Sequence, residues 1–303
     1  MRVSIVIPNY NGEKELFKNL PQVFAMAKGA ETIVVDDASV DGSVKMLRKY
    51  FPQVTVIQRD KNEGFASTVN DGVKHATGDL ILLLNHDVIP SVDLLNHLTY
   101  HFNDPKIFAV GCLEESKEGT KIVFRGRGVG KFKMGFLSHS RGEVNKNNTL
   151  WVTGGAAMFN KKLWQRLGGM DTIYNPFYWE DIDLSYRAQK AGYKIVFEPK
   201  GIVVHEHEQG AIRKLYSEEK IKTIAYKNQI LFVWLNITDM SYLMKHFAYL
   251  SYHLIKAIIS ADLSFIKGFL LAITLFPKVI IHRWRNAKLS HKSDKEILAD
   301  YLA

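Results

Sequence analysis

The chain has 303 residues, 47% hydrophobic and 23% charged, which is enough material for about two domains and a large buried core. Lys and Arg total 40 against 31 Asp and Glu, a formal charge of +9, and the composition excludes a disordered chain. The single cysteine, Cys112, excludes an intramolecular disulfide framework and a CxxC metal knuckle and fits a reducing compartment. The opening MRVSIVIPNYNG lacks the apolar run of a secretory signal, so a cytosolic enzyme is expected rather than a secreted scaffold.

Short apolar runs alternate with amphipathic stretches over the first two-thirds, the signature of an α/β architecture with a mostly parallel sheet flanked by helices. Strands are predicted at Val3–Ile7, Thr32–Asp36, Val54–Gln58 and Leu80–Leu84, all apolar enough to be buried on both faces. Helices are predicted at Glu13–Ala27, Ser43–Tyr50, Phe65–Ala76 and Val92–Phe102, with Asp41 and Ser91 as N-caps. A strand over Ile107–Leu113 is followed by an irregular, Gly- and Lys-rich stretch from Glu114 to Asn148 with hairpin-like pieces. Trp151–Phe159 reads as strand, Lys161–Leu167 and Glu180–Ala191 as helices, and Ile195–Phe197 and Ile202–His205 as short strands.

From Glu218 the pattern turns helical, with breaks at Asn236–Asp239 and Pro277. Residues 1–217 therefore read as one catalytic domain and 218–303 as a helical, basic C-terminal extension. Residues 211–303 hold 14 Lys or Arg against 7 Asp or Glu, so most of the positive excess sits there. The same stretch is rich in Leu, Ile and aromatic residues, Phe232, Phe247, Phe265, Phe276 and Trp284 among them. That mixture suits an anionic membrane surface better than nucleic acid, which would not need so much apolar surface. Lys245, Lys256, Lys267 and Lys278 recur every eleven residues, about three helical turns, and interrupt any run long enough to span a bilayer. In-plane amphipathic helices are expected; the competing reading is a helical cap packed on the catalytic core.

Four clusters carry candidate chemistry. Pro8-Asn9-Tyr10-Asn11 follows the first strand, where open α/β sheets bind ligands, although such a tetrapeptide alone is an ordinary turn. Asp36-Asp37 ends the second strand and could bind a base or ribose, or cap the next helix. A GxGxxG dinucleotide fingerprint is missing after the first strand. Asn85-His86-Asp87 ends the apolar LILLL strand, and an acid emerging there suits a divalent cation holding phosphate oxygens, or a helix cap. Trp179-Glu180-Asp181-Ile182-Asp183 opens a helix; its acids favour the helix dipole, and they also offer a base beside a sugar-friendly aromatic surface.

The series VSIVIPNYNG, VVDDASVDGS, NEGFASTVNDGVKHATGDLILLLNHDV, VTGGAAMF, FYWEDIDLSYRAQKAGYKIVFEP and VVHEH resembles the family 2 glycosyltransferases of GT-A fold over about residues 1–210. The later segment with Lys227-Asn228 resembles the C-terminal extension of bacterial rhamnosyl- and galactofuranosyltransferase-like members. The resemblance implies that Pro8, Tyr10 and Asp37 meet the nucleotide and that Asp87 is the last acid of a metal-binding DxD whose first acid is Asn85 here. It implies His205 as a further metal ligand, with His207 as a substitute. Gly154 and Gly155 would lie beside the donor sugar and acceptor, Trp179 with Glu180 at the acceptor, and Asp181 would be the general base. The implied activity is inverting, metal-dependent (Mn²⁺ or Mg²⁺) transfer from a UDP- or dTDP-linked sugar to a glycan or lipid-linked acceptor in cell-surface polysaccharide synthesis. The implied place is the cytoplasm, peripheral on the inner face of the cell membrane. Arg283-Trp284 lack the Gln of a processive QxxRW motif. The rivals are a sugar-nucleotide nucleotidyltransferase, for which PNYNGEKE lacks a Gly-rich basic loop, and an inactive glycan-binding scaffold of the same fold.

Overall fold

The parallel half of the sheet is β1 (Val3–Asn9), β2 (Glu31–Asp36), β3 (Thr55–Gln58) and β4 (Leu80–Leu84), in the order β3-β2-β1-β4; the expected burial on both faces holds for β1, β2 and β4, whereas β3, at the edge, leaves Thr55 and Gln58 exposed. Side chains alternate across them, so Ile5 and Ile7 of β1 enter one core and Val6 the other. The first core is closed by α1 (Glu13–Ala27), α2 (Ser43–Tyr50) and α4 (Leu94–Thr99), through Leu16, Leu20, Leu47 and Leu98. The second is closed by α3 (Phe65–His75), α5 (Lys161–Leu167) and α6 (Glu180–Lys190), through Val69, Trp164 and Leu184. Pro8 has no N–H to give, yet β1 tolerates it because pairing with β4 covers only Val3–Val6. The computed structural model describes the whole chain except residues 119–120, 206–211, 213–214 and 302–303.

Beyond β4 the sheet becomes mixed. It continues through β10 (Ala156–Asn160), antiparallel to β4, then β6 (Ile107–Glu118), β11 (Lys194–His205) and the short β5 (Val88–Pro90). β7 (Lys121–Arg125) pairs with β6, while β8 (Gly128–Lys133) and β9 (Phe136–Arg141) make a separate hairpin. The expected α/β class with a mostly parallel central sheet is present.

Several sequence-based boundaries need correction. The helix expected at Val92 with Ser91 as cap starts at Leu94 after Asp93 and ends as a 3₁₀ turn over Tyr100–Asn103. Strand character in Trp151–Phe159 is confined to its end, because the Gly154-Gly155 turn occupies the start of that run. The two short strands around 195 and 205 are one strand, β11, whose register shifts between Glu198 and Ile202. Asp41 does not sit at the cap position, which Gly42 takes; it instead accepts bonds from Ser43 N and Oγ and from Glu13 N.

The C-terminal helices are α7 (Glu218–Asn236), α8 (Met240–Ile259), α9 (Leu263–Thr274), α10 (Phe276–Ala287) and α11 (Asp294–Ala299). The break near Pro277 falls at Leu275, and Pro277 stands in the first turn of α10, where its missing N–H costs nothing. A second break at Ser260–Asp262 was not expected. A third core joins these helices to the rest of the chain: Leu231, Phe232, Val233 and Leu298 pack with Leu137, Tyr174, Trp179 and Tyr186.

Candidate active site

The chain order reverses between β1 and β4, the place where open α/β sheets bind ligands in a crevice beyond the carboxyl ends of their strands. The β1 and β2 ends are tied together, since Asn9 Nδ2 donates to Asp36 Oδ2 at 2.8 Å and Ser39 N to Asp36 Oδ1 at 3.0 Å. Asp36 is therefore structural. Asp37, the next residue, points to the crevice side and accepts from Glu63 N at 3.2 Å and Gly64 N at 3.0 Å, with Arg59 at 3.4 Å. Burial raises the Asp37 pKa against those bonds and the Arg59 charge. Pro8 is buried in β1, and Tyr10 is half-buried just beyond its end. Tyr216, which the sequence did not single out, lies close enough to Tyr10 and Asp37 for their charges to raise its own pKa, after burial. Its ring also meets Phe177 edge-on at 5.0 Å.

At the end of β4, Asp87 precedes β5, and β5 pairs Val88 with His205 of β11. That register brings His205 Nε2 to 3.0 Å from Asp87 Oδ2. The other ring nitrogen, Nδ1, lies 3.1 Å from Glu114 Oε1 on β6. Burial pushes the Asp87 carboxyl up, but the His205 bond and charge outweigh it and hold it at about 2. Burial likewise opposes the charged form of His205, and the two carboxylates carry it to about 9 instead. Asp87 Oδ1 is buried without a hydrogen-bond partner in the structure. An aspartate oxygen and an imidazole nitrogen, the ring oriented by Glu114, fit two protein ligands of a divalent cation whose other ligands come from phosphate and water. Asn85 adds a neutral amide whose Oδ1 is also buried and without a partner. No group of three or more His, Cys, Asp or Glu able to hold a metal occurs among the described residues. His207 lies outside the described residues.

The Gly154-Gly155 turn connects this end of the crevice to Asp181. Gly155 O accepts from Asn85 N at 2.9 Å, and Gly154 N donates to Asp181 Oδ2 at 3.1 Å. Both positions are close-packed: a Cβ on Gly155 would stand 2.9 Å from Asn85 Nδ2 and displace that amide, and one on Gly154 would stand 2.9 Å from the Phe65 ring. Asp181, in the first turn of α6, is half-buried and also accepts from Ile182 N at 2.7 Å. Burial raises its pKa against these bonds. Glu180 beside it is buried, and desolvation together with the Asp181 charge pushes its carboxyl up to about 8.

The loop before Asp181 is held from two sides. Asn175 donates to Ser67 Oγ at 2.8 Å, and Pro176 O accepts from Phe65 N at 3.1 Å, which joins it to the Asp37-bound Gly64 segment. Tyr178 and Trp179 both have positive φ, 71° and 78°, an unusual pair for bulky residues. From α7, Asn228 Nδ2 reaches the carbonyls of Tyr174 at 2.7 Å and of Phe177 and Tyr178 at 2.9 Å, and Lys227 Nζ donates to Asn175 O at 2.9 Å. Trp179, expected to offer its ring to a sugar, is only 6% exposed and packs against Phe232 and His139. The outward ring of this turn is Tyr178, 40% exposed.

Sequence and structure comparisons agree with this architecture. The model of Glycosyl transferase family 2 matches residues 4–168, and the chain belongs to that family. The chain is 25% identical over 202 residues to the poly-beta-1,6-N-acetyl-D-glucosamine synthase of Staphylococcus aureus, covering 65% of this chain and 48% of the relative. It is 27% identical over 217 residues to the pre-mycofactocin glycosyltransferase of Mycobacterium tuberculosis, covering 68% and 43%. The chain thus spans about half the length of these relatives. Among solved structures, S. aureus TarS 1–349 in complex with UDP-GlcNAc superposes with a TM-score of 0.61 at 14% identity, over 99% of this chain and 91% of that one. GalNAc-T7 with UDP, GalNAc and Mn²⁺ gives 0.62 at 18% identity, over 79% and 48%. Those likenesses show the fold, that of the GT-A glycosyltransferases.

Proposed function

We propose that this chain transfers a sugar, with inversion, from a nucleotide-diphosphate donor to a hydroxyl of a glycan or lipid-linked acceptor in cell-surface polysaccharide synthesis. The observation that carries this reading is the Gly154-Gly155 turn, whose Gly155 O accepts from Asn85 N just after β4 and whose Gly154 N donates to the Asp181 carboxylate. It sets a nucleotide crevice and a carboxylate of raised pKa on either side of one glycine pair. Structures of similar fold solved with UDP-GlcNAc, or with UDP, GalNAc and Mn²⁺, support a nucleotide-sugar donor and a divalent cation. A UDP- or dTDP-linked sugar is our choice of donor; the rhamnosyl or galactofuranosyl type rests on the Lys227-Asn228 resemblance alone.

Pro8, Tyr10 and Asp37 receive the base and ribose, with Tyr216 covering them. Asp87 and His205 would hold Mn²⁺ or Mg²⁺, which when bound supplies positive charge against the leaving diphosphate. Asn85 contributes a neutral acceptor where the family carries an acid. Asp181 accepts the proton of the acceptor hydroxyl as its oxygen attacks the anomeric carbon from the face opposite the diphosphate. Gly154 N orients that carboxylate, and Tyr178 offers the acceptor the exposed ring assigned from sequence to Trp179. Residues 1–217 serve as the catalytic domain and 218–303 as its helical extension, working in the cytoplasm at the inner membrane face.

A panel of UDP-, dTDP- and GDP-sugars screened for Mn²⁺-dependent hydrolysis tests the reading. One donor should be turned over, and Asp87→Ala should abolish metal-dependent donor binding. Full turnover in excess chelator would contradict the cation's role, and no turnover of any donor would contradict the activity.

A further inference from the structure

Helix α8 has two apolar faces, and only one is used by the fold. His246, Leu250 and Ala257 face inwards: His246 Nδ1 donates to Gly135 O at 2.7 Å, while its Nε2 accepts from Trp234 Nε1 at 3.0 Å. On the outer side, Met240, Met244, Phe247, Ile255 and Ile258 fall within about 80° of the helix circumference at 100° per residue. All five are exposed, Ile258 at 67%. Leu270 of α9 and Phe276, Ile280 and Trp284 of α10 are exposed as well, and α9 packs against α8. Soluble monomers rarely show contiguous apolar surface beyond roughly a few hundred Å² unless it binds something.

The charge around this surface says what it binds. Residues 240–293 contain eight Lys or Arg and a single acid, Asp262. Asp262 is engaged in capping α9, accepting from Phe265 N at 3.1 Å, and takes the Tyr226 hydroxyl at 3.3 Å. Lys245 and Lys256 are exposed on α8 beside the apolar stripe, and Lys278 is exposed on α10. Lys288 Nζ stands 3.4 Å from the centroid of the exposed Trp284 ring, the pairing of aromatic and cation found at membrane headgroups. A second copy of this chain docked by a two-fold axis would bring the same cations face to face, which disfavours it. No single helix among the described residues is long and apolar enough to cross a membrane; α9 and α10 reach that length and apolarity only as a pair, and the 67° bend between them breaks the span. These features describe helices lying in an interface plane.

We infer that the outer face of α8 through α10 docks on an anionic phospholipid bilayer, its apolar side chains at the headgroup boundary and its lysines among the phosphates. The inference deepens the membrane placement in the proposed function and rests on it for location alone; vesicle binding is read without sugar transfer, so either can fail without the other. The β8–β9 hairpin turns at Gly135 against α8, and His139, four residues along β9, packs on Trp179 beside Asp181. The Gly135 contact is made by the inner, His246 side of α8, so the helix whose outer face would meet lipid is braced on the hairpin that packs against Trp179.

The structure also corrects which aromatic residues face lipid. Phe232 and Phe265, grouped from sequence with the interfacial rings, are core residues, whereas Phe247, Phe276 and Trp284 are exposed.

Flotation of the full chain with phosphatidylglycerol–phosphatidylethanolamine vesicles, against pure phosphatidylcholine vesicles, tests the docking. The chain should float with the anionic vesicles only, less at high salt. The double variant Phe247→Glu, Ile258→Glu should lower partitioning about tenfold or more while leaving the thermal midpoint within a few degrees, because both side chains are exposed. If that variant fails to fold, Lys245→Glu with Lys256→Glu gives the second measure and should also release the protein. Indifference of the intact chain to anionic vesicles overturns the inference, as does undiminished flotation of folded variants. A dimer by light scattering that the apolar variant dissociates, with no vesicle binding, assigns the face to a second copy and overturns it too.

Discussion

At the scale of single residues, the site turns on two adjacent carboxylates in the first turn of α6. Asp181 must be ionised to accept a proton, and burial has raised its pKa. The rate therefore falls as pH drops through that raised value, and the acid limb of kcat/KM should lie above the ordinary aspartate range. A limb at or below that range would contradict the assignment. Glu180 has the complementary behaviour. Its carboxyl, pushed from 4.5 up to about 8, binds a proton in the folded chain over a pH window where the unfolded chain does not. Stability from this group is present below 4.5 and lost as pH rises through about 8. Glu180→Gln should flatten that decline, measured as urea midpoints on both sides of the window; an unchanged slope would contradict it. The acids of WEDID were legible in the sequence because clustered carboxylates opening a helix after an aromatic run have few uses. Burial of Trp179 was not legible, since a lone Trp serves a core or a sugar equally well. Gly64 was also missed: its φ of +91° and a Cβ position 2.8 Å from Pro176 Cα depend on a loop distant in sequence.

Among elements, the informative contact is between α7 and the 174–178 turn. Three carbonyls of that turn converge on Asn228 Nδ2, so a helix outside the family-matched residues 4–168 sets the loop that leads into Asp181. Asn228 is thus a positioning residue. Asn228→Ala should lower kcat by about 10- to 10²-fold, the scale of a small misplacement, with little change in nucleotide affinity. Loss of nucleotide affinity with kcat intact would place its role elsewhere. The parallel strands β1, β2 and β4 were readable because residues buried on both faces leave continuous apolar runs, and the edge strand β3 from its β-branched Thr55, Val56 and Ile57. β5 was not, because a run as short as Val88-Ile89-Pro90 carries no periodicity; within 114–148 hairpin-like pieces were expected, but their bounds and pairing come from tertiary partners.

For the whole molecule, residues 218–303 read from sequence as a separable extension, yet buried polar links tie them to the preceding residues. Asp294 of α11 accepts from Tyr186 Oη at 2.7 Å, Lys190 Nζ at 3.0 Å, and the backbone N–H groups of Thr238 and Asp239, both at 2.7 Å. Replacing Asp294 by Ala strands the buried Lys190 ammonium, which costs about 3–5 kcal/mol in comparable sites. Chemical denaturation should show that loss as a single shifted transition; a separate early transition would mean that the helices unfold on their own. Such links are invisible in sequence because they pair residues about a hundred positions apart. The central claim, inverting transfer with Asp181 as base, is tested most directly by the anomer of sugar first released when the chain turns over its donor, followed by NMR before mutarotation. The account predicts the inverted anomer, and a fall of about 10²–10⁴ in rate for Asp181→Asn with donor binding unchanged. A retained anomer, or undiminished turnover by that variant, would contradict it.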